Sequence, residues 1–180
     1  MILDYIETSR LIIREVNEAD FKSIHTYASK EEVTKYLPFG PNNEIDTTFF
    51  IEKVMNYKNQ SPRCDYEFAV VLKENNTLIG GCGIHITSVN NKEGSIGYCF
   101  DDEFWGKGYG SEAANAVINF GFDKLSPWTK YLMVRKLDES SRFSYSTNQP
   151  ISGILIRMPF ITLSIINFGL KIKLFSVKYL

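Results

Sequence analysis

Residues 104–113 read FWGKGYGSEA, three glycines in five positions leading into a segment of helical character. Ahead of them stands SIGYCFD (95–101), with the composition of a strand. Behind them Ala114, Val117, Ile118, Phe122 and Leu125 recur at helical spacing from Ser111 onward, with Glu112 in the first turn. The order strand, glycine loop, helix carries a physical meaning. A helix start leaves about four backbone N–H groups without intrahelical partners, and the aligned peptide dipoles add roughly half a positive charge there. An anion is stabilised by both when no side chain blocks the backbone, a condition that Gly106, Gly108 and Gly110 meet. Lys107 either adds charge to that anion or points to water. A P-loop would need GxxxxGK followed by Ser or Thr, and a dinucleotide-binding GxGxxG would need glycine where Ser111 stands. The residues alone therefore leave two readings, a phosphate cradle and a plain tight turn.

Upstream, RLIIREV (10–16) reads as a strand. It is followed by a helix start with Asn17 as N-cap, Asp20 three residues on, and Phe21, Ile24 and Ala28 on one face. Pro38 and Gly40-Pro41 mark a loop, and apolar residues at 50, 51, 54 and 55 predict a second helix over Asp46–Tyr57. YEFAVVLK (66–73) and TLIGGCGIHI (77–86) read as two strands around the turn Glu74-Asn75-Asn76. KYLMVR (130–135) is a further strand.

Composition narrows the class. The chain has 180 residues, 44% of them hydrophobic and 23% charged, which suits a single domain with a real core. A net charge of -1 gives no general attraction to nucleic acid or to an anionic membrane. Cys64, Cys82 and Cys99 are odd in number and have no CxxC spacing. With only His25 and His85 besides, they argue against a disulfide framework and a metal site, and for a cytoplasmic setting. The opening MILDYIETSRLIIRE lacks the apolar run of a secretory signal.

WGKGYGSEA, preceded by IGYCFD, resembles the acetyl-CoA pyrophosphate loop of the GNAT N-acetyltransferases, and more narrowly the ribosomal-protein RimJ/RimL type. IETSRLIIREVNEADFKSI and LIGGCGI are similar to that group's first strand and helix and to its third strand. The resemblance implies an α+β fold, a mixed and mostly antiparallel sheet splayed at its fourth strand, with helices on both faces. It also implies an acetyl-CoA-dependent N-acetyltransferase acting on a primary amine, a protein N-terminus or a small molecule, by direct attack on the thioester. Carried over by position, Trp105 takes the first place of the loop motif, and Gly108 and Gly110 match its two small residues. Gly106 and the backbone from Lys107 through Tyr109 to Ser111 would surround the pyrophosphate. Tyr98, Cys99 and Phe100 would pair with the pantetheine arm as an added strand would. The members of this group often pair, so a homodimer is a further expectation.

The transfer needs a neutral amine, a donor for the developing oxyanion and a proton for the leaving thiolate. Relatives often carry a glutamate just before the Ile-Gly-Tyr of the fourth strand, where this chain has Ser95. Glu93, two residues earlier, is on the same face if the strand reaches it, or is a solvated turn carboxylate. His85 is a base by its ordinary pKa or a strand packing residue; Glu67 is another candidate base. Tyr145 is the candidate acid for the thiol. Cys99 reads as a small buried residue, with a covalent role as the alternative. A catalytically impaired acyl-CoA-binding module is the competing reading of the whole.

Residues 1–139 form the expected acetyltransferase core, and 140–180 an atypical C-terminal segment of the same domain. From Ser140 onward there is no Asp or Glu, against five basic residues, Arg142, Arg157, Lys171, Lys173 and Lys178. The basic residues interrupt any run long enough to span a membrane. Either the segment still supplies the last two strands, as ISGILIRM and LKIKLFSV, or it is the product of a reading-frame change in an AT-rich gene.

Overall fold

The computed structural model describes residues 5–88 and 93–125, and beyond them the backbones of strands 131–134, 143–144, 154–158, 161–165 and 172–174; for Ser88, Glu93 and Phe122 it likewise describes the backbone alone. In chain order the elements are β1 (Ile6–Glu7), β2 (Leu11–Glu15), a 3-10 turn (Glu18–Asp20), α1 (Phe21–Ala28), α2 (Glu31–Thr34), α3 (Glu44–Tyr57), β3 (Asp65–Leu72), β4 (Leu78–Ser88) and β5 (Glu93–Phe100). A second 3-10 turn (Asp102–Phe104), α4 (Tyr109–Lys124), β6 (Tyr131–Val134), β7 (Phe143–Ser144), β8 (Ile154–Met158), β9 (Ile161–Ile165) and β10 (Ile172–Leu174) follow.

One sheet runs β1-β2-β3-β4-β5-β6-β10-β7, and β8 pairs with β9 apart from it. The neighbours from β1 to β5 are antiparallel, whereas β6 runs parallel to β5 and β10 parallel to β6. The expected mixed, mostly antiparallel sheet is present. Its splayed strand is β5, because the two-residue β1 precedes the strand that the sequence marks as first. Of the two strands expected in the C-terminal segment, β10 joins the main sheet and β8 pairs with β9.

The sheet divides the core into two layers. On one face Leu11, Ile13, Phe68, Val70, Ile79, Ile84, Ile96 and Phe100 pack against Ala113, Ala114 and Val117 of α4. On the other, Ala69, Val71 and Cys99 pack against Ile24, Tyr27 and Ala28 of α1 and Ile51 and Val54 of α3. Each fully buried Leu, Ile or Phe contributes roughly 2 kcal/mol, so alternation along β3 and β5 fixes which residues face which helix.

The first helical entry is built as its sequence suggests. Asn17 accepts from the Ala19 N–H at 2.9 Å, and the Asp20 carboxylate accepts from the Asn17 N–H at 2.9 Å. Asp20 is buried, and Arg14 from β2 satisfies it with two hydrogen bonds of 2.7 Å. Asn43 and Asp46 repeat the same reciprocal arrangement at the start of α3. The result is a fixed α1 whose Tyr27 side chain lies over the middle of the sheet.

Candidate active site

The ladder between β5 and β6 covers only Glu93–Ile96, paired with Tyr131–Val134. From Gly97 to Phe100, β5 keeps its β4 partner and has no strand partner on its other side among the described residues. Which groups this exposes follows from the phase of the antiparallel ladder. The Asp101 N–H donates to the Ile79 carbonyl at 3.0 Å, so Gly97 and Cys99 aim their backbone groups at β4. Tyr98 and Phe100 aim theirs into the splayed gap. The Phe100 carbonyl is met there by the Trp105 indole N–H at 2.8 Å, which places Trp105 across the end of the gap. Side chains alternate the other way. Tyr98 and Phe100 turn to α4, where Phe100 lies 3.6 Å and Tyr98 3.8 Å from the point a Cβ on Gly110 would occupy. Cys99 turns to α1.

The gap leads into the glycine loop. Gly106 and Gly108 have φ of 72° and 80°, the left-handed region that favours glycine. Gly108 is the N-cap of α4 and, as a glycine, brings no side chain to cap it. The first intrahelical bond runs from the Glu112 N–H to the Gly108 carbonyl at 3.1 Å. The N–H groups of Tyr109, Gly110 and Ser111 are thus left facing outward at the positive end of a 16-residue helix. Lys107 is exposed, its ammonium 5.1 Å from the centre of the Phe104 ring.

A clasp that the sequence reading missed holds this turn. The Glu112 carboxylate accepts from Thr8 Oγ1 at 2.6 Å, Ser9 Oγ at 2.9 Å, the Arg10 backbone N–H at 2.9 Å and Arg10 Nε at 2.7 Å. Arg10 Nη1 donates to the Lys107 carbonyl at 3.0 Å, and the guanidinium stacks 4.4 Å from the Tyr109 ring centre. Burial alone would raise the Glu112 pKa; the bonds from Thr8, Arg10 and Ser9 outweigh it and bring it down to about 2. Glutamate in the first turn was visible in the sequence, but its partners stand about a hundred residues away.

On the α1 and α3 face three cross-strand rows run from β3 to β5: Ala69–Gly81–Cys99, Glu67–Gly83–Gly97 and Asp65–His85–Ser95. Tyr27 covers the first, its hydroxyl 3.4 Å from where a Cβ on Gly81 would stand. In the third, His85 Nδ1 is 2.8 Å from Asp65, and its Nε2 is 3.2 Å from Glu67 in the row between. Burial would lower the His85 pKa, but hydrogen bonds to Glu67 and Asp65 raise it to about 9. Ser95 stands opposite His85. β5 does reach Glu93, so Glu93 and Ser95 share one strand two residues apart; the Glu93 side chain and the whole of Tyr145 lie outside the described residues. Burial pushes the Cys99 thiol up to about 12 and keeps it protonated at neutral pH, which fits its reading as a small buried residue. Among the described residues no group of three His, Cys, Asp or Glu is placed to hold a metal ion.

The family model for the acetyltransferase (GNAT) domain matches residues 10–158. The chain belongs to this family. Among curated relatives, an uncharacterized N-acetyltransferase of Bacillus subtilis, YnaD, is 32% identical over 122 residues, 68% of each chain. A GNAT-family acetyltransferase from Bacillus anthracis superposes with a TM-score of 0.61 at 30% identity, covering 73% of this chain and 72% of that one. RimL, a ribosomal L7/L12 α-N-protein acetyltransferase solved with coenzyme A, shares the fold with a TM-score of 0.63 at 16% identity, over 76% and 77% of the two chains. The resemblance to the RimJ/RimL type thus holds at the level of the fold. This GNAT domain differs from its sequence-level expectation mainly in how its glycine turn is held.

Proposed function

We propose that this GNAT domain transfers an acetyl group from acetyl-CoA to a primary amine by direct attack on the thioester. One observation carries the reading: the uncapped start of α4 behind Gly108 is continuous with the open edge of β5. A diphosphate matches the outward N–H groups of Tyr109, Gly110 and Ser111. An arm bearing amides matches the C=O of Tyr98 and the N–H of Phe100, as strand addition would. The fit is supported at Gly108, where an added Cβ would meet, among the described residues, only Arg10 Nη2, at 3.5 Å. RimL, of the same fold, was solved with coenzyme A.

Acetyl-CoA supplies an activated thioester; the chain supplies position and proton handling. The Tyr98 N–H, aimed into the gap, is a donor for charge that develops on the carbonyl oxygen. Gly97, exposed beside it, leaves an approach for the amine from the α1 and α3 face. Glu93 and Ser95 on β5 and Tyr145 remain the sequence-derived candidates for proton handling, with Tyr145 as the thiol's acid. The loop LPFGPNNE, where Phe39 is 44% exposed, is assigned to the acceptor pocket. A cytoplasmic setting, a homodimer, and the reading-frame origin of residues 140–180 belong to the same proposal.

The test is calorimetry with acetyl-CoA on the wild type and Gly108→Glu. Micromolar binding that is lost in a folded Gly108→Glu variant supports the cradle, and turnover with a panel of amines then separates the enzyme from an acyl-CoA-binding module. Ser95, standing where relatives carry glutamate, is the feature that favours the second outcome. Absence of binding by the folded wild type overturns both.

A further inference from the structure

The middle row on the α1 and α3 face is built around an absence of side chains. Glu67, Gly83 and Gly97 are cross-strand neighbours on β3, β4 and β5. A Cβ placed on Gly83 would lie 2.5 Å from Glu67 Oε2, 2.6 Å from its Cδ and 2.7 Å from its Oε1. The carboxylate therefore lies flat across β4, directed at β5, in the space that any other residue at 83 would fill. Gly97 comes next in the row; it is exposed, and a Cβ there would meet no described residue within 4 Å. The distance from the carboxylate to this open space is about one strand spacing, ~5 Å. That is within reach of a bound amine directly or through one water.

The open space adjoins the point where the ladder to β6 ends, at Ile96. It is also next to Tyr98, whose backbone faces the gap. A thioester lying along that gap and an amine standing over Gly97 would meet there.

We infer that Glu67, oriented by His85, takes the proton from the acceptor amine, which enters over Gly97. The inference rests on the acetyl-transfer reading above. His85 is the obvious rival, but both of its ring nitrogens face carboxylates, Asp65 and Glu67, and an imidazole donating from both nitrogens has no lone pair left for a proton. Its Nε2 engages Glu67 Oε1, while Oε2 lies 2.5 Å from the Gly83 Cβ position, over β4. Two carboxylates around one imidazolium leave a net negative charge, matched to an acceptor that arrives as an ammonium ion. Proton transfer to Oε2 frees the nitrogen lone pair. The nitrogen then attacks the carbonyl carbon and the C–N bond forms. As the C–S bond breaks, the nitrogen gives up its second proton, the thiolate takes one through the candidate acid Tyr145 and leaves as the thiol, and Glu67 returns its proton to solvent.

The charged and titratable groups facing Glu67 are His85 on β4, Tyr27 on α1 and, through His85, Asp65 on β3, itself influenced by Lys53 of α3; Cys82 on β4 points to the opposite face of the sheet. Tyr27 and the thiol of Cys82 are both held protonated, so they do not compete for the proton near neutral pH.

The experiment compares the wild type with Glu67→Gln, using a peptide with a free N-terminus, a diaminoalkane and an aminoglycoside as acceptors. Acetyl-CoA affinity is read by calorimetry and folding by thermal melting. The inference expects kcat/KM for the amine to fall roughly 100-fold at pH 7 with acetyl-CoA affinity unchanged, and the deficit to shrink as pH rises and solvent deprotonates the amine. A packing role would give a deficit that does not depend on pH. Should Glu67→Gln fail to fold, Gly97→Ala, whose methyl has open space, serves instead: it raises the amine KM and leaves acetyl-CoA binding intact. Turnover by Glu67→Gln within ~3-fold of wild type, a pH-independent deficit, or an unchanged amine KM in Gly97→Ala overturns the inference and leaves acetyl transfer standing. A wild type that consumes acetyl-CoA with none of the amines overturns acetyl transfer, and this inference with it.

Discussion

Arg10 Nη2 lies 2.7 Å from Glu112 Oε2, an ion pair that ties the turn after β1 to the first turn of α4. The same guanidinium holds the Lys107 carbonyl, so one side chain spans both ends of the glycine turn. A carboxylate so near a helix start would repel an incoming diphosphate; Arg10 cancels that charge. Arg10→Met is therefore expected to weaken acetyl-CoA binding about tenfold, roughly 1.4 kcal/mol, with kcat at saturation held within ~3-fold. Steady-state kinetics in both substrates checks the split.

Glu112 also marks the acid limb of stability. Its folded pKa is about 2, below its ordinary value of 4.5. A lowered pKa means that the stabilisation is present above about pH 4.5 and is lost as pH falls towards 2. Glu112→Gln lacks this component. The gap in melting temperature between wild type and variant is expected to be widest near pH 6 and to close towards pH 2, as followed by circular dichroism.

His85 gives the opposite sign. Its pKa is raised to about 9 from 6.5, so its contribution is full below pH 6.5 and fades as pH rises through 9. Against His85→Gln, the wild type is expected to lose its advantage in denaturant midpoint between pH 6.5 and 9.5. A difference that stays constant over this range would show that the imidazole is neutral in the folded chain.

Two glycines of one loop are expected to behave differently. Gly108 has φ of 80°, so Gly108→Ala costs roughly 1 kcal/mol of stability through its left-handed backbone. Gly110 is helical, and its added methyl would sit at ordinary contact distance, 3.6 Å from the Phe100 ring. Gly110→Ala is expected to leave stability unchanged or raise it by up to about 1 kcal/mol. Thermal melts of the two variants decide this.

The thiols offer a chemical check. At a pKa of about 12, Cys99 is about one part in ten thousand thiolate at pH 8, and the Cys82 thiol is pushed up as well. Iodoacetamide is expected to modify Cys64, which is only half-buried, and to spare both others in the folded chain. Peptide mapping by mass spectrometry reads the result.

The sequence made the frame legible where a single segment holds the signal. Helical spacing from Ala114 to Leu125 and the reciprocal pair Asn17 and Asp20 each settle one element locally, and both elements are there. β1 and α2 escaped because two and four residues carry no measurable period. β9 escaped although its ITLSI alternates apolar and polar residues, because five positions are too few to stand out within a mostly apolar stretch. In the candidate site, the glycine loop was legible because a helix start and its glycines are contiguous. The Arg10–Glu112 clasp and the Asp65–His85–Glu67 cluster were not, since register across strands brings their members together and no single stretch contains them. Glu67 stood in the sequence as one of several candidate bases, and nothing in its own segment shows that Gly83 and Gly97 lie beside it.

The four-pair ladder at Glu93–Ile96 has a consequence for turnover of the protein itself. On the proposed function, the substrate is the piece of backbone that the sheet lacks, so occupancy and folding are one equilibrium. Mass action then adds about 2.7 kcal/mol of stability at a hundredfold excess of ligand over its dissociation constant. Amide protons of Tyr98 and Phe100 would exchange with deuterium freely in the empty chain and slowly in the filled one. A cell short of acetyl donors would hold a looser, more protease-sensitive population of this enzyme, and its abundance would follow its substrate.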